Sequence, residues 1–178
     1  KCLATQRGCD CELQRKDAPP LKATHWSPML TMLLRLASRA GTQYSVDYWN
    51  AAIIHYALGG AGIYKHDDNE HLFQIEEGME SAILSISMGG PRSFRFAKLS
   101  DRHQGQEERA REDSSDADRH EVSVGHGDLL FIGGQSQFFY KHEALCQANL
   151  PKAEYRRLGN PEWYKASHAP RLCVTFRH

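Results

Sequence analysis

The chain has 178 residues, 22 Lys+Arg against 22 Asp+Glu, and 40% hydrophobic and 10% aromatic residues. A formal net charge of zero excludes a histone-like, generally basic polyanion binder, and the apolar content excludes a wholly disordered chain. The length suits one domain, and no apolar run approaches the roughly 18 residues of a membrane helix, so no membrane partner is expected.

Residues 1–24 are polar, carry Cys2, Cys9 and Cys11, and include the Pro19-Pro20 pair. They read as a polar N-terminal arm outside the core, with the folded domain over 25–178. Five cysteines, the others at 146 and 173, match no paired CxxC zinc pattern. Free thiols are the plain reading of the first three, and a small metal or disulfide clip the sharper one. Such usage fits a reduced, intracellular setting, nucleus or cytoplasm, and not secretion. Nothing signal-like opens the chain at Lys1. A start without Met is consistent with an excerpt of a longer protein.

Ser27-Pro28 offers an N-cap followed by proline in the first turn, and Met29, Leu30, Leu33, Leu34 and Ala37 follow at helical spacing. The spacing predicts a helix over 28–40, stopped by Gly41. Short strand-like runs come next: Asn50 to Tyr56, Ala82 to Met88, Ser93 to Ala97, Glu121 to Val124, Leu129 to Ile132, Gln137 to Tyr140 and Leu172 to Arg177. Glycine pairs at 59–60, 89–90 and 133–134 punctuate them. The expected fold is mainly β with flanking α, a sandwich or jelly roll packed on one helix. Residues 101–121 hold eight acids, four arginines and no large apolar side chain, so they are expected to form a mobile loop between strands.

The chemistry concentrates in few residues. His66 and Asp68 are two apart, so on a strand they share a face and can grip one ion. His142, 74 residues after Asp68, is the best third ligand. Two histidines and one carboxylate on one octahedral face leave three positions open, the arrangement of non-haem iron(II) oxygenases. An H-x-D alone is weak, and any of the ten histidines could be structural. Arg171 and Arg177 lie six apart on the last strand-like run and therefore share a face. Two inward cations need an anion, and a dicarboxylate satisfies guanidinium groups bidentately. Ordinary surface arginines are the competing reading.

Together these segments resemble the AlkB-type iron(II)- and 2-oxoglutarate-dependent dioxygenases over roughly residues 48 to 177. The likeness rests on Tyr56 to Gly60 leading into His66-Asp67-Asp68, on Ile86 to Phe96, on His126-Gly127-Asp128-Leu129-Leu130 through His142, and on Arg171 to Arg177. Two positions depart from the pattern. Cys173 stands where the C-terminal signature has asparagine, and Ile54 stands two residues before the lead-in tyrosine if Tyr56 is that tyrosine. A one-residue shift would put His55 there instead. An additional residue also separates His142 from Tyr140 compared with some relatives.

The resemblance implies a double-stranded β-helix. It implies Fe(II) on His66, Asp68 and His142, and 2-oxoglutarate paired with Arg171, with Arg177 at the other end and Tyr56 as a hydrogen-bond donor. Dioxygen is the co-reactant. It further implies oxidative dealkylation of alkylated bases in DNA or RNA by a monomer that takes single-stranded or flipped-base nucleic acid. Base-directed enzymes use a basic rim with aromatic stackers. Tyr64, Lys65, Arg92 and Trp163 are the first candidates, with Arg95, Lys98, Arg156, Arg157 and Lys165 as further cations. A hydroxylase or demethylase of a protein or small molecule is the alternative, and a catalytically inert binding module a third. Neutrality is itself a sum of opposed patches: segment 101–121 carries four net negative charges and 151–178 four net positive ones.

Overall fold

A computed structural model describes residues 2–5, 12–13, 19–59, 61–66, 68, 82–98, 119–145 and 169–178. Its strands are β1 (Cys2–Thr5), β2 (Glu12–Leu13), β3 (Leu21–His25), β4 (Ala51–Ala57), β5 (Ile63–His66), β6 (Ile83–Gly89), β7 (Arg92–Lys98), β8 (Arg119–Val124), β9 (Leu129–Ile132), β10 (Tyr140–Ala144) and β11 (Arg171–Arg177). Helix α1 (Pro28–Gly41) precedes β4, and a short helix α2 (Ser136–Phe139) precedes β10.

Two sheets form. One has seven strands in the order β2-β3-β1-β4-β11-β6-β9, the other four in the order β5-β10-β7-β8. Strands β4, β11, β6 and β9 pair antiparallel, as do all neighbours in the smaller sheet. These eight strands make the jelly roll, and the mainly-β fold with a flanking helix is as expected.

The period of two in β11 organises the core. Val174 and Phe176 join Ala52 of β4 and Leu84 and Ile86 of β6 in one apolar layer. Helix α1 covers that layer with Leu30, Leu34 and Ala37. The helix starts where the sequence says it should: the Ser27 Oγ accepts a hydrogen bond from the Leu30 N–H at 3.3 Å, satisfying a first-turn amide. The odd-numbered residues of β11 face the other way, between the sheets, with Ile53 and His55 of β4 and Ser85 of β6. Phe94, Val124 and Ala144 fill the far side of that space.

Two expectations are corrected. The N-terminal arm is not outside the core. Strand β1 pairs antiparallel with β4 and parallel with β3, and Leu3 (0% exposed) and Leu13 (2%) pack on Ala51 and Ile53. Isolated apolar residues in a polar stretch gave no periodic signal; their burial comes from pairing with a distant strand. The run Gln137 to Tyr140 is also not one strand. Its first three residues belong to the helical turn α2, and β10 begins at Tyr140. The expected mobile loop lies outside the described residues at 101–118, while its last three residues start β8.

Candidate active site

His66 ends β5 and His142 lies in β10, and the two are directly opposed in the antiparallel ladder. Their ring centroids are 4.5 Å apart. The additional residue before His142 does not misplace it: β10 stays in continuous register with β7, and the irregularity falls on the β5 side, between His142 and Ala144. Asp68, two residues beyond β5, sends its carboxylate between the rings. Its Oδ1 is 3.5 Å from His66 Nε2, and its Oδ2 is 3.3 Å from His142 Nε2. Donor atoms about 2.1 Å from one ion at right angles to each other lie about 3 Å apart, so this spacing suits a shared ion. Among the described residues these three make the only such cluster, with ligand atoms all within 4.8 Å of one another.

Neighbouring groups prepare the set. His66 Nδ1 lies 2.8 Å from the Tyr64 carbonyl. A carbonyl only accepts, so Nδ1 carries a proton, and Nε2, the nitrogen that faces Asp68, is the one that would bind a metal. Burial alone would raise the pKa of Asp68, but the Arg177 guanidinium and the two histidines outweigh it and hold the carboxyl well below the ordinary value. Arg177 forms an ion pair with Asp68 Oδ1 and reaches its backbone carbonyl at 3.5 Å.

The cluster lines a pocket between the two sheets. Arg171 also lines it. Arg171 is 6% exposed. It donates to Ser87 Oγ at 2.8 Å and the Val124 carbonyl at 3.3 Å, and its guanidinium lies 5.4 Å from the Phe94 ring centroid. None of these partners is an acid. A buried cation held only by neutral groups is expensive, and an incoming carboxylate would offset that cost.

A match to a family model now decides the identity: the 2OG-Fe(II) oxygenase superfamily, over residues 4–177. The chain belongs to that superfamily. It is a 2-oxoglutarate-dependent dioxygenase, and its co-reactants are Fe(II), 2-oxoglutarate and O2. When bound, iron couples oxidative decarboxylation of 2-oxoglutarate to oxidation of a C–H bond. The residues present fit that group, because the donor set is two imidazoles and a carboxylate and, among the described residues, the buried Arg171 on the pocket wall has no acid partner. A solved structure described as "The structure of OsALKBH1" shares the fold at TM-score 0.52 and 15% identity, over 88% of this chain and 68% of that one. No curated protein matches the chain.

The remaining expected residues of this oxygenase are distributed unevenly. Tyr56 is corrected: it is 57% exposed, on the face of β4 opposite the pocket. His55 lines the pocket instead, in register with Cys173 of β11, while Ile54 packs on the α1 layer. A slip of one residue exchanges faces along a strand, and the motif left that slip open. Cys173 is buried, its Sγ 3.7 Å from Thr175 Oγ1. Arg92 is corrected as a rim residue: at 1% exposure it donates to the carbonyls of Ala61, Pro91 and Ala169 and forms pocket wall. Arg95 pairs with Glu121 at 3.3 Å and Glu143 at 3.6 Å. Tyr64 (90% exposed) and Lys65 face solvent. Trp163, Arg156, Arg157, Lys165, Cys9 and Cys11 lie outside the described residues, and Cys2 is a free, exposed thiol. Sequence reasoning missed Gln137, which is 5% exposed and whose Oε1 accepts from the Asp68 N–H at 3.0 Å. No helix among the described residues is long and apolar enough to cross a membrane.

Proposed function

We propose that this oxygenase is AlkB-type and removes N-alkyl groups from nucleobases in DNA or RNA presented single-stranded or flipped out. In this reading His66, Asp68 and His142 hold the iron, and Arg171 pairs with the distal carboxylate of 2-oxoglutarate. Arg177 keeps Asp68 ionised and aimed. Hydroxylation of an N-methyl carbon leaves an unstable product that collapses to formaldehyde and the free base.

The observation that carries the co-substrate assignment is Arg171, a buried guanidinium lining the pocket with no acid partner among the described residues. For the substrate, the support is Tyr64, an aromatic ring 90% exposed two residues before an iron ligand. A ring left in water beside a reactive centre is a stacking platform for a base, worth about 1–3 kcal/mol per stacked base. Lys65, next along β5, is exposed as well, on the opposite face of the strand.

A second reading, a protein or small-molecule oxygenase, draws on the state of the other cations. Arg92 is turned inward and Arg95 is neutralised by two glutamates, which thins the basic rim. The deciding experiment is a formaldehyde-release screen on methylated single-stranded DNA, RNA and peptides, with iron and 2-oxoglutarate supplied. Turnover of a methylated oligonucleotide that weakens with added salt supports the first reading. Turnover of peptides alone overturns it.

A further inference from the structure

We infer that Gln137 is a positioning residue for the iron site, acting through the backbone of Asp68. The inference rests on the ligand set proposed above. Of the three ligands, His66 and His142 are held by strand pairing, opposite each other in the β5–β10 ladder. Asp68 lies past the end of β5 and has no ladder partner. Its amide is fixed instead by a side chain 69 residues away, through the 3.0 Å bond to Gln137 Oε1.

A backbone N–H only donates, so the amide oxygen of Gln137 must be the end that faces it. On its other side, the Asp68 carbonyl meets Arg177 Nη1 at 3.5 Å. The peptide groups flanking Asp68 are thus held at both ends. Removing the Gln137 acceptor frees one end, and the carboxylate can then swing out of line with the two imidazoles. The economy of the arrangement supports the assignment. Gln137 sits five residues before His142, so one helical turn and the strand after it deliver both the third ligand and the clamp on the second.

The other end of the amide points the same way. Gln137 Nε2 is buried and has no acceptor among the described residues. Burying an amide N–H that finds no acceptor costs free energy, and methionine would fill the same length without that cost. A polar group kept at such a cost is explained by the bond its oxygen makes.

The test compares wild type, Gln137→Met and His142→Ala under anaerobic conditions. Three quantities are read: the Fe(II) dissociation constant, the visible charge-transfer absorption of the Fe(II)–2-oxoglutarate complex, and the unfolding midpoint of the metal-free protein. Groups that orient metal ligands typically change affinity 10- to 100-fold when lost. Gln137→Met is therefore expected to weaken Fe(II) binding by about 10- to 100-fold and to shift the absorption band. A Gln137→Met protein with wild-type affinity and an unmoved band overturns the inference, whatever its unfolding midpoint. If wild type takes up no Fe(II), the ligand set itself is wrong. If His142→Ala loses iron and Gln137→Met does not, only the role of Gln137 falls. Hydrogen exchange on metal-free wild type decides the matter should Gln137→Met fail to fold. The Asp68 amide is expected to be protected, and exchange at the rate of an open chain overturns the inference.

Discussion

Replacing Arg171 by methionine keeps the length of the side chain and removes its charge. In the free protein that charge is buried, and among the described residues it meets Ser87 Oγ, the Val124 carbonyl and the Phe94 face. Two hydrogen bonds from a charged donor to neutral acceptors contribute about 1.5–3 kcal/mol each, and exchanging a buried ion for an apolar side chain of similar volume often restores much of that. The metal-free variant should therefore unfold within about 2 kcal/mol of wild type. Ligand binding should respond differently. A charge-assisted, desolvated pair with the distal carboxylate is worth about 2–4 kcal/mol, which is roughly a 30- to 1000-fold rise in the 2-oxoglutarate dissociation constant. The clean assay adds 2-oxopentanoate, which has the same carbon chain without the distal carboxylate. Measured against both acids, wild type and Arg171→Met form a double-mutant cycle. The wild type should prefer the diacid strongly, and the variant should lose most of that preference. A coupling below about 0.5 kcal/mol, the usual scatter between independent sites, refutes the pairing and leaves Arg171 as a structural brace between the sheets.

Further outcomes follow from the same geometry. His66→Ala, Asp68→Ala and His142→Ala should each abolish Fe(II)-dependent succinate formation, and wild-type turnover by any one of them removes that residue from the ligand set. Leu3→Ala should cost about 2–5 kcal/mol in denaturant unfolding, as for a fully buried leucine; a loss below about 0.5 kcal/mol, the range of surface changes, would return β1 to the status of a loose arm. Asp68 has a folded pKa below its unfolded one, so the metal-free protein gains stability from it above the unfolded value of about 3.9 and loses that gain as pH falls below it. The stability gap between wild type and Asp68→Asn, followed by denaturant titration, should shrink below about pH 4. A gap that widens there contradicts the ion pair with Arg177.

Much of the site was legible because it depends on strand parity. Arg171 and Arg177, six apart, needed only the alternation of side chains to share a face, and the sheets bear this out for β11 along its whole length; the spacing of His66 and Asp68 named the right pair, although Asp68 lies beyond the end of β5 and not on the strand. Parity without an absolute register is ambiguous, however. Tyr56 and His55 differ by one residue and so by a whole face of β4; pairing with Cys173 settled that in favour of His55. Arg92 looked like any surface arginine, since its burial is decided by carbonyls at positions 61, 91 and 169. The role of Gln137 left no trace in local pattern, because its partner is 69 residues away.

What the sequence alone determined, then, is the alternation that makes strands two-faced, the capped helix after Ser27, and the identity of the groups able to bind a metal and a diacid. These follow from chemistry within a few residues. Tertiary structure decided which face looks inward, that β1 joins the large sheet, and that the buried Arg171 meets no acid among the described residues. Those depend on contacts between segments far apart in the chain, where one residue of register or one distant carbonyl changes the outcome.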